Sequence, residues 1–357
     1  MDIVKATASF EAWLAARTPL VAADVERKHR LMADATNPFP FFRGTFYRWS
    51  QRWLALGGDL CDAPPVLAVG DIHVENFGTW RDAEGRLAWG VNDFDEAGLL
   101  PYTNDLVRLA ASAALAARQD RMSLSVAAVC DAVLHGYRTG LKRRRDGLLR
   151  PTLVDGDKAW LAPPPPDPHA WWRRMKLELA GTGRVPREAG SVLRSLVPDG
   201  ARVSAIGARV AGVGSLGKRR FAIVAEWHGG PVAREVKALV PSALCWARDE
   251  DRPPALTAIL RSAVRSPDPH FQVCGEWVCR RLAPDMDKAE LNAAPGTAGR
   301  LLETMGRALA CVHAGDTADV LADLADRPRR WLRKGVNVML DDVLADWKAW
   351  CGRAGSA

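Results

Sequence analysis

The chain predicts an α+β fold of two lobes, a small antiparallel sheet lobe and a larger helical lobe. Three observations point to it. Apolar residues recur at helical spacing near both ends of the 357-residue chain. In the stretch 200–290 the period shortens to strand alternation punctuated by glycine turns. Two short apolar runs, Val66-Leu67-Ala68-Val69 and Leu87-Ala88-Trp89-Gly90-Val91, each lead into an acid-rich turn. The expected division is 1–150 for a helical lobe holding both acidic turns, 151–199 for a linker and helical insert, 200–290 for the sheet lobe, and 296–357 for helices that complete the helical lobe.

Residues 3–60 read as helical. Phe10, Trp13 and Leu14 share a face, Asn37-Pro38-Phe39-Pro40 interrupts, and Phe46, Tyr47, Trp49 and Trp53 resume the rhythm. A helix is expected over residues 105–118, with Asp105 at its cap and arginine at its end, as the helix dipole favours. Another covers 123–143; Lys142-Arg143-Arg144-Arg145 then reads as a solvated helix end rather than a nucleic-acid patch. Pro163-Pro164-Pro165-Pro166 is a stiff spacer. Strands are expected at 203–213, 221–227, 231–240 and 277–282, with His228-Gly229-Gly230 turning the second into the third. Helices follow over 297–314, where Leu301, Leu302, Met305, Leu309 and Val312 form one stripe, and over 317–352, broken at Arg327-Pro328.

The composition, 48% hydrophobic and 25% charged, belongs to a globular chain with a full core, and the net charge of +7 fits a mildly basic surface or an anionic ligand. Seven cysteines without a Cys-x-x-Cys argue against a disulfide framework and a zinc site, and for buried thiols in a reducing compartment. The start Met1-Asp2-Ile3-Val4-Lys5 carries no basic-then-apolar leader, and no apolar run reaches membrane length. The expected setting is cytoplasmic, with neither membrane nor nucleic acid as partner.

The acidic turns carry the chemistry. Asp71 is followed five residues later by Asn76, and Asp93 ends the next apolar run. Phosphoryl transfer needs that set: a carboxylate to receive the acceptor hydroxyl's proton, and an amide oxygen with a second carboxylate to hold Mg2+ against nucleotide phosphates. Asp71 is the candidate base; Asn76 and Asp93 are the candidate metal ligands. Gly212-x-Gly214-Ser215-x-Gly217 runs into a strand rather than a helix, the form in which a glycine loop covers the phosphates of ATP. Lys237, in the next strand, is the candidate phosphate-pairing lysine, with Glu250 as its carboxylate partner. His73 is expected to brace its loop, Asp95 to assist the metal or the acceptor, Asp105 to steady the catalytic loop, and Glu75 and Glu96 to lie at the surface or behind the site. Glu276–Cys279 is the candidate contact for adenine, through its backbone groups.

Together Gly70-Asp71-x-His73-x-x-Asn76, Asn92-Asp93-Phe94-Asp95 and Asp105-Leu106 resemble the catalytic core of aminoglycoside- and choline-type phosphotransferases, which share the protein-kinase-like fold. The whole chain is more similar to a bacterial family known as domain of unknown function 2252. That likeness runs from Pro38-Phe39-x-Phe41-x-Arg43-Gly44, through Asp105-Leu106-x-Arg108 and Val236-Lys237, to Ala308-x-Ala310-x-x-His313-Ala314. The resemblance implies ATP and Mg2+ binding. Because the acidic turns precede the glycine loop, it also implies a circularly permuted kinase-like order, which surface termini tolerate. The activity expected is an ATP- and magnesium-dependent phosphotransferase, with a nucleotide and a hydroxyl-bearing acceptor as partners. The alternatives are a nucleotide-binding pseudokinase, a scaffold using surfaces such as Trp171-Trp172, and a metal-dependent phosphoesterase whose first motif Gly70-Asp71-x-His73 resembles, though its later motifs are missing.

Overall fold

The computed structural model describes residues 1–119, 124–162, 167–286, 297–313, 315 and 317–354. The tetraproline spacer at 163–166 and Ala314 of the last motif lie outside them. The chain is a mixed α+β structure, with three small antiparallel sheets among the described residues. The N-terminal helices are α1 (Ile3–Ala15), α2 (Ala22–Met32), α3 (Phe39–Gly44) and α4 (Phe46–Leu56). Asp2 caps α1 by accepting the Lys5 N–H at 2.8 Å. Phe10 of α1 stacks on Tyr47 of α4 with ring centroids 4.4 Å apart, so the aromatic stripe read from the sequence is a helix contact.

Next come β1 (Pro65–Ala68), β2 (Phe77–Arg81), β3 (Leu87–Val91) and β4 (Gly98–Pro101). β1 pairs with β4 and β2 with β3; β2 and β4 are additions to the expected pattern, each too short to show a period. α5 (Tyr102–Gln119) begins earlier than expected, so Asp105 lies in its first turn and not at its cap. α6 (Val126–Arg145) is capped by Ser125 and ends in the four expected cations. β5 (Thr152–Leu153) joins β3.

α7 (Pro168–Ala180) and α8 (Arg187–Leu196) precede a five-stranded sheet of β6 (Arg202–Ala208), β7 (Arg220–Trp227), β8 (Gly230–Ala238), β9 (Gln272–Cys274) and β10 (Trp277–Leu282), in the order β6-β7-β8-β10-β9. His228 and Gly229, both at positive φ, make the two-residue turn from β7 to β8. The insert is part of this unit. Phe221, Ile223, Val236 and Cys279 point to one face, where Ala189 and Leu193 of α8 cover them. Ala222, Val224 and Ala233 point to the other, where Met175 and Leu179 of α7 cover them. Burial on both faces explains the unbroken apolar run Phe221-Ala222-Ile223-Val224-Ala225. Trp171 and Trp172 are partly buried and pack against this second core.

α9 (Ala243–Arg248) and α10 (Leu256–Ser262) link β8 to β9, and α11 (Ala298–Val312), α12 (Thr317–Asp326) and α13 (Trp331–Ala354) complete the helical body. α11 lies tightly on α6 because the contact uses glycine. A methyl group on Gly136 would overlap the Glu303 carbonyl, and one on Gly306 would overlap that of Val133. This packing carries His313, just past α11, into the core beside Asp105. All seven cysteines are free thiols. No helix among the described residues is long and apolar enough to cross a membrane.

Candidate functional site

The first acidic turn is held from behind. Gly70 sits at φ +79°, where a side chain would be strained and would also strike the Glu96 carbonyl. The fully buried Asp105 carboxylate accepts the N–H of Val69 at 2.8 Å and of Gly70 at 3.2 Å. It also faces His313 Nε2 at 3.0 Å; a carboxylate can only accept, so Nε2 carries the proton. The steadying role expected of Asp105 is thus a backbone clamp on the residues immediately before Asp71.

Asp71 Oδ1 receives the Nε of Arg108 at 3.0 Å and a closer Nη2 contact. Arg108 is fully buried, its guanidinium 4.2 Å above the Phe42 ring, and Nη2 also reaches the Phe42 carbonyl at 3.2 Å. Burial lifts the Asp71 carboxyl above the usual range, and the Arg108 cation opposes that rise. Oδ2 is the oxygen turned toward Gly214, where a methyl group would stand 3.5 Å from it. Asn76 donates Nδ2 to the Asp71 carbonyl at 2.6 Å, and its own carbonyl accepts the Asn92 N–H at 2.9 Å. The two acidic turns are therefore one hydrogen-bonded unit.

Asp93 Oδ1 stands 3.7 Å from Lys237 Nζ and 3.6 Å from Arg280 Nη2. Burial alone would raise its carboxyl, but Lys237, Arg280 and Arg220 hold it well below the usual carboxylate range. Lys237 makes its closest ion pair with Asp95 Oδ2. This corrects the partner expected for the lysine: Glu250 pairs instead with Arg252 at 2.7 Å. Two residues before Lys237 on the same sheet face, Glu235 is gripped by Arg220 at 2.8 Å and Arg209 at 2.5 Å. Burial is outweighed by these two cations, which bring its carboxyl down to about 2.

The glycine turn follows β6. Gly212 and Gly217 take φ of +72° and +96°, and Ser215 Oγ accepts Arg220 Nη2 at 2.7 Å. The turn is tied to the N-terminal helices. The Val21 N–H donates to the Gly217 carbonyl at 2.9 Å, Leu20 bridges Lys218, and Gly214 faces the Arg43 carbonyl. Lys218 in turn reaches Glu96 at 3.4 Å, while the other Glu96 oxygen takes the Ala243 N–H at 2.7 Å. Glu96 is accordingly a structural bridge and not a surface group.

A cavity of about 330 Å³ brings these parts together. Asp71, His73, Asn76, Asp93 and Asp95 line one side, and Gly212, Gly214 and Ser215 line another. Lys237 stands at its edge through its ion pairs, and Asp105 lies behind it. His73 is buried, with its ring edge-on to Phe39 at 6.2 Å. Arg108, Arg209, Arg220 and Arg280 were assigned no role from sequence. Arg108 lies one helical turn after Asp105 in the quoted motif, which was the available signal. In the segment Glu276–Cys279, expected to meet adenine through its backbone, the Cys279 side chain faces α8; the cavity is lined by Leu282 at the end of β10, by Ala283 and Met286 beyond it, and by Trp80 and Phe271. Among the described residues no three His, Cys, Asp or Glu side chains gather into a metal cage, so the protein ligands of a two-metal phosphoesterase centre are not assembled here.

Fold and site together define an α+β protein with a charged cavity between a five-stranded sheet and a helical body. The model of a bacterial family described only as an uncharacterised protein conserved in bacteria, domain of unknown function 2252, matches residues 20–152. That stretch contains both acidic turns, Arg108 and Asp105. No curated protein and no solved structure matches the chain.

Proposed function

We propose that the protein is an ATP- and magnesium-dependent phosphotransferase that moves the γ-phosphate to a hydroxyl group, using a kinase-like arrangement in permuted chain order. The observation that carries this reading is the contact of Lys237 with Asp93 and Asp95, on the cavity where Asp71 meets the glycine turn. Lysine, glycine turn and acidic turns are the parts that phosphoryl transfer combines. The lysine also sits on the third strand of its sheet, after the glycine-linked first two.

The residues fit the groups this chemistry needs. Asn76 commits its N–H to the Asp71 carbonyl, which leaves the amide oxygen as a hard ligand. Asp95 Oδ1 is buried and has no hydrogen-bond partner among the described residues. Asn76 and Asp93 would hold magnesium, which when bound neutralises phosphate charge. The apolar surfaces of Trp80, Phe271 and Leu282 suit a purine, and the Lys237 end suits phosphates. Arg108 fixes Asp71 Oδ1 so that Oδ2 can orient the acceptor hydroxyl. The hydroxyl oxygen bonds to the γ-phosphorus, the bond from that phosphorus to the bridging oxygen breaks, ADP leaves, and the hydroxyl proton passes to Asp71.

One observation favours a second reading, nucleotide binding without transfer: Arg108 occupies one Asp71 oxygen and the Gly214 turn lies against the other. ATP consumption measured against a panel of hydroxyl compounds separates the two. Asp71→Asn is expected to lower turnover by about 10²–10⁴-fold while ATP affinity stays within about threefold. Asp93→Ala is expected to weaken magnesium-dependent nucleotide binding. Unchanged turnover in Asp71→Asn would remove Asp71 from the mechanism, and wild-type binding without turnover on the panel would favour the second reading.

A further inference from the structure

Arg280 is a half-buried cation, two of whose guanidinium nitrogens are buried and without a hydrogen-bond partner among the described residues. It lies on β10 directly opposite Glu235 of β8, on the sheet face that looks into the cavity. Its side chain is 21% exposed, and the guanidinium carbon sits 4.4 Å above the Phe271 ring. Glu235 would be its natural cross-strand partner, but Arg220 and Arg209 already take both Glu235 oxygens. Asp93 is the nearest carboxylate, and its 3.6 Å separation from Nη2 is too long for a hydrogen bond. Among the described residues, neither Nε nor Nη2 of Arg280 finds an acceptor. Around this point four cations (Arg209, Arg220, Lys237, Arg280) meet three carboxylates (Glu235, Asp93, Asp95), leaving one positive charge in excess. Arg265 repeats the pattern on the same cavity wall, with its Nε buried and without an acceptor and its guanidinium 4.4 Å above Trp80.

Buried donors without acceptors call for an explanation, and here they open onto a cavity. Nε and Nη2 form the edge of the guanidinium fork that grips a phosphate with two parallel bonds. Lys237 places a second, point-like cation 3.7 Å from the same Asp93 oxygen, so two cations of different geometry stand together at this end of the cavity. We infer that Arg280 is the second arm of a phosphate clamp with Lys237, and that the ligand of this cavity is a polyphosphate ester. The inference rests on the nucleotide reading above and adds to it a residue and a requirement for at least two phosphates.

The test is titration of the full-length chain, followed by calorimetry or tryptophan fluorescence, with ATP, ADP, AMP, adenosine and inorganic tripolyphosphate in the presence of magnesium. Arg280→Gln is expected to weaken ATP and ADP by about tenfold to a hundredfold and to leave adenosine unchanged. Arg280→Lys keeps the charge and loses the fork; it is expected to recover only part of that loss, and it carries the test if the glutamine variant does not fold. Tripolyphosphate binding as tightly as ATP, with the same dependence on Arg280, would support the clamp and identify inorganic polyphosphate as the ligand source. ATP affinity within twofold of wild type in both variants, or an equal loss for adenosine, would overturn the assignment of Arg280. Failure of the wild-type chain to bind any of the five compounds would instead overturn the nucleotide reading from which it follows.

Discussion

Asp105→Asn isolates the contact that ties α5 and the C-terminal end of α11 to the first acidic turn. The wild-type carboxylate accepts four hydrogen bonds with no exposed surface. Oδ2 receives Val69 N–H at 2.8 Å and His313 Nε2 at 3.0 Å; Oδ1 receives Gly70 N–H at 3.2 Å and Asn104 Nδ2 at 3.1 Å. Asparagine replaces one oxygen by an NH2 group, and either amide orientation turns that group toward two donors. Two hydrogen bonds to a charged acceptor are then lost, at about 1.5–3 kcal/mol each. The network is shared and the terms do not simply add, which gives about 3–5 kcal/mol, in the range for breaking a buried charged contact. The assay is equilibrium urea unfolding followed by fluorescence of the 14 tryptophans. Expected is a lower midpoint at an unchanged slope, and faster hydrogen exchange at the Val69 and Gly70 amides. A destabilisation below about 1 kcal/mol would refute the argument that these four donors depend on one buried carboxylate.

The remaining predictions concern the turn and the charge cluster. Gly70→Ala combines a strained positive φ with overlap on the Glu96 carbonyl, so it is expected to cost more than about 2 kcal/mol; a midpoint equal to wild type would show that the turn relaxes freely. Glu235 is ionised more readily folded than unfolded, with a carboxyl near about 2 against an ordinary 4.5. Its contribution of about 3 kcal/mol is therefore fully present above pH 4.5 and is lost as the pH falls toward 2. The stability gap between wild type and Glu235→Gln should be widest near neutral pH and close on acidification. A gap independent of pH would show that the two arginines do not hold the charge.

Parts of this site were legible because their signals are local. Asp71, Asn76 and Asp93 follow short apolar strands, and a strand that ends in a polar turn announces itself within ten residues. The two-residue turn at His228-Gly229 was equally plain, since its positive φ values favour glycine. The partner of Lys237 was not legible. Glu250 was the nearest plausible glutamate along the chain, whereas Asp95 comes from a turn on the far side of the cavity. The face on which each β10 side chain lies was not legible for a related reason. Side chains alternate across a strand, and Cys279 belongs to the face under α8, which only the β8–β10 register reveals. The strands β2, β4 and β9 span five, four and three residues, too few for a pattern to stand out from chance.

The sequence by itself determined the class of the elements, the two acidic turns and the glycine turn, because periodicity and turn chemistry are properties of neighbouring residues. Only the tertiary structure decided which charges share a partner: Arg108 with Asp71, Asp95 with Lys237, Arg209 and Arg220 with Glu235, and Arg280 with none of these carboxylates at hydrogen-bond distance. A buried charge takes whichever counter-charge packing brings within a few ångströms, and packing joins residues whose separation along the chain carries no trace of the contact.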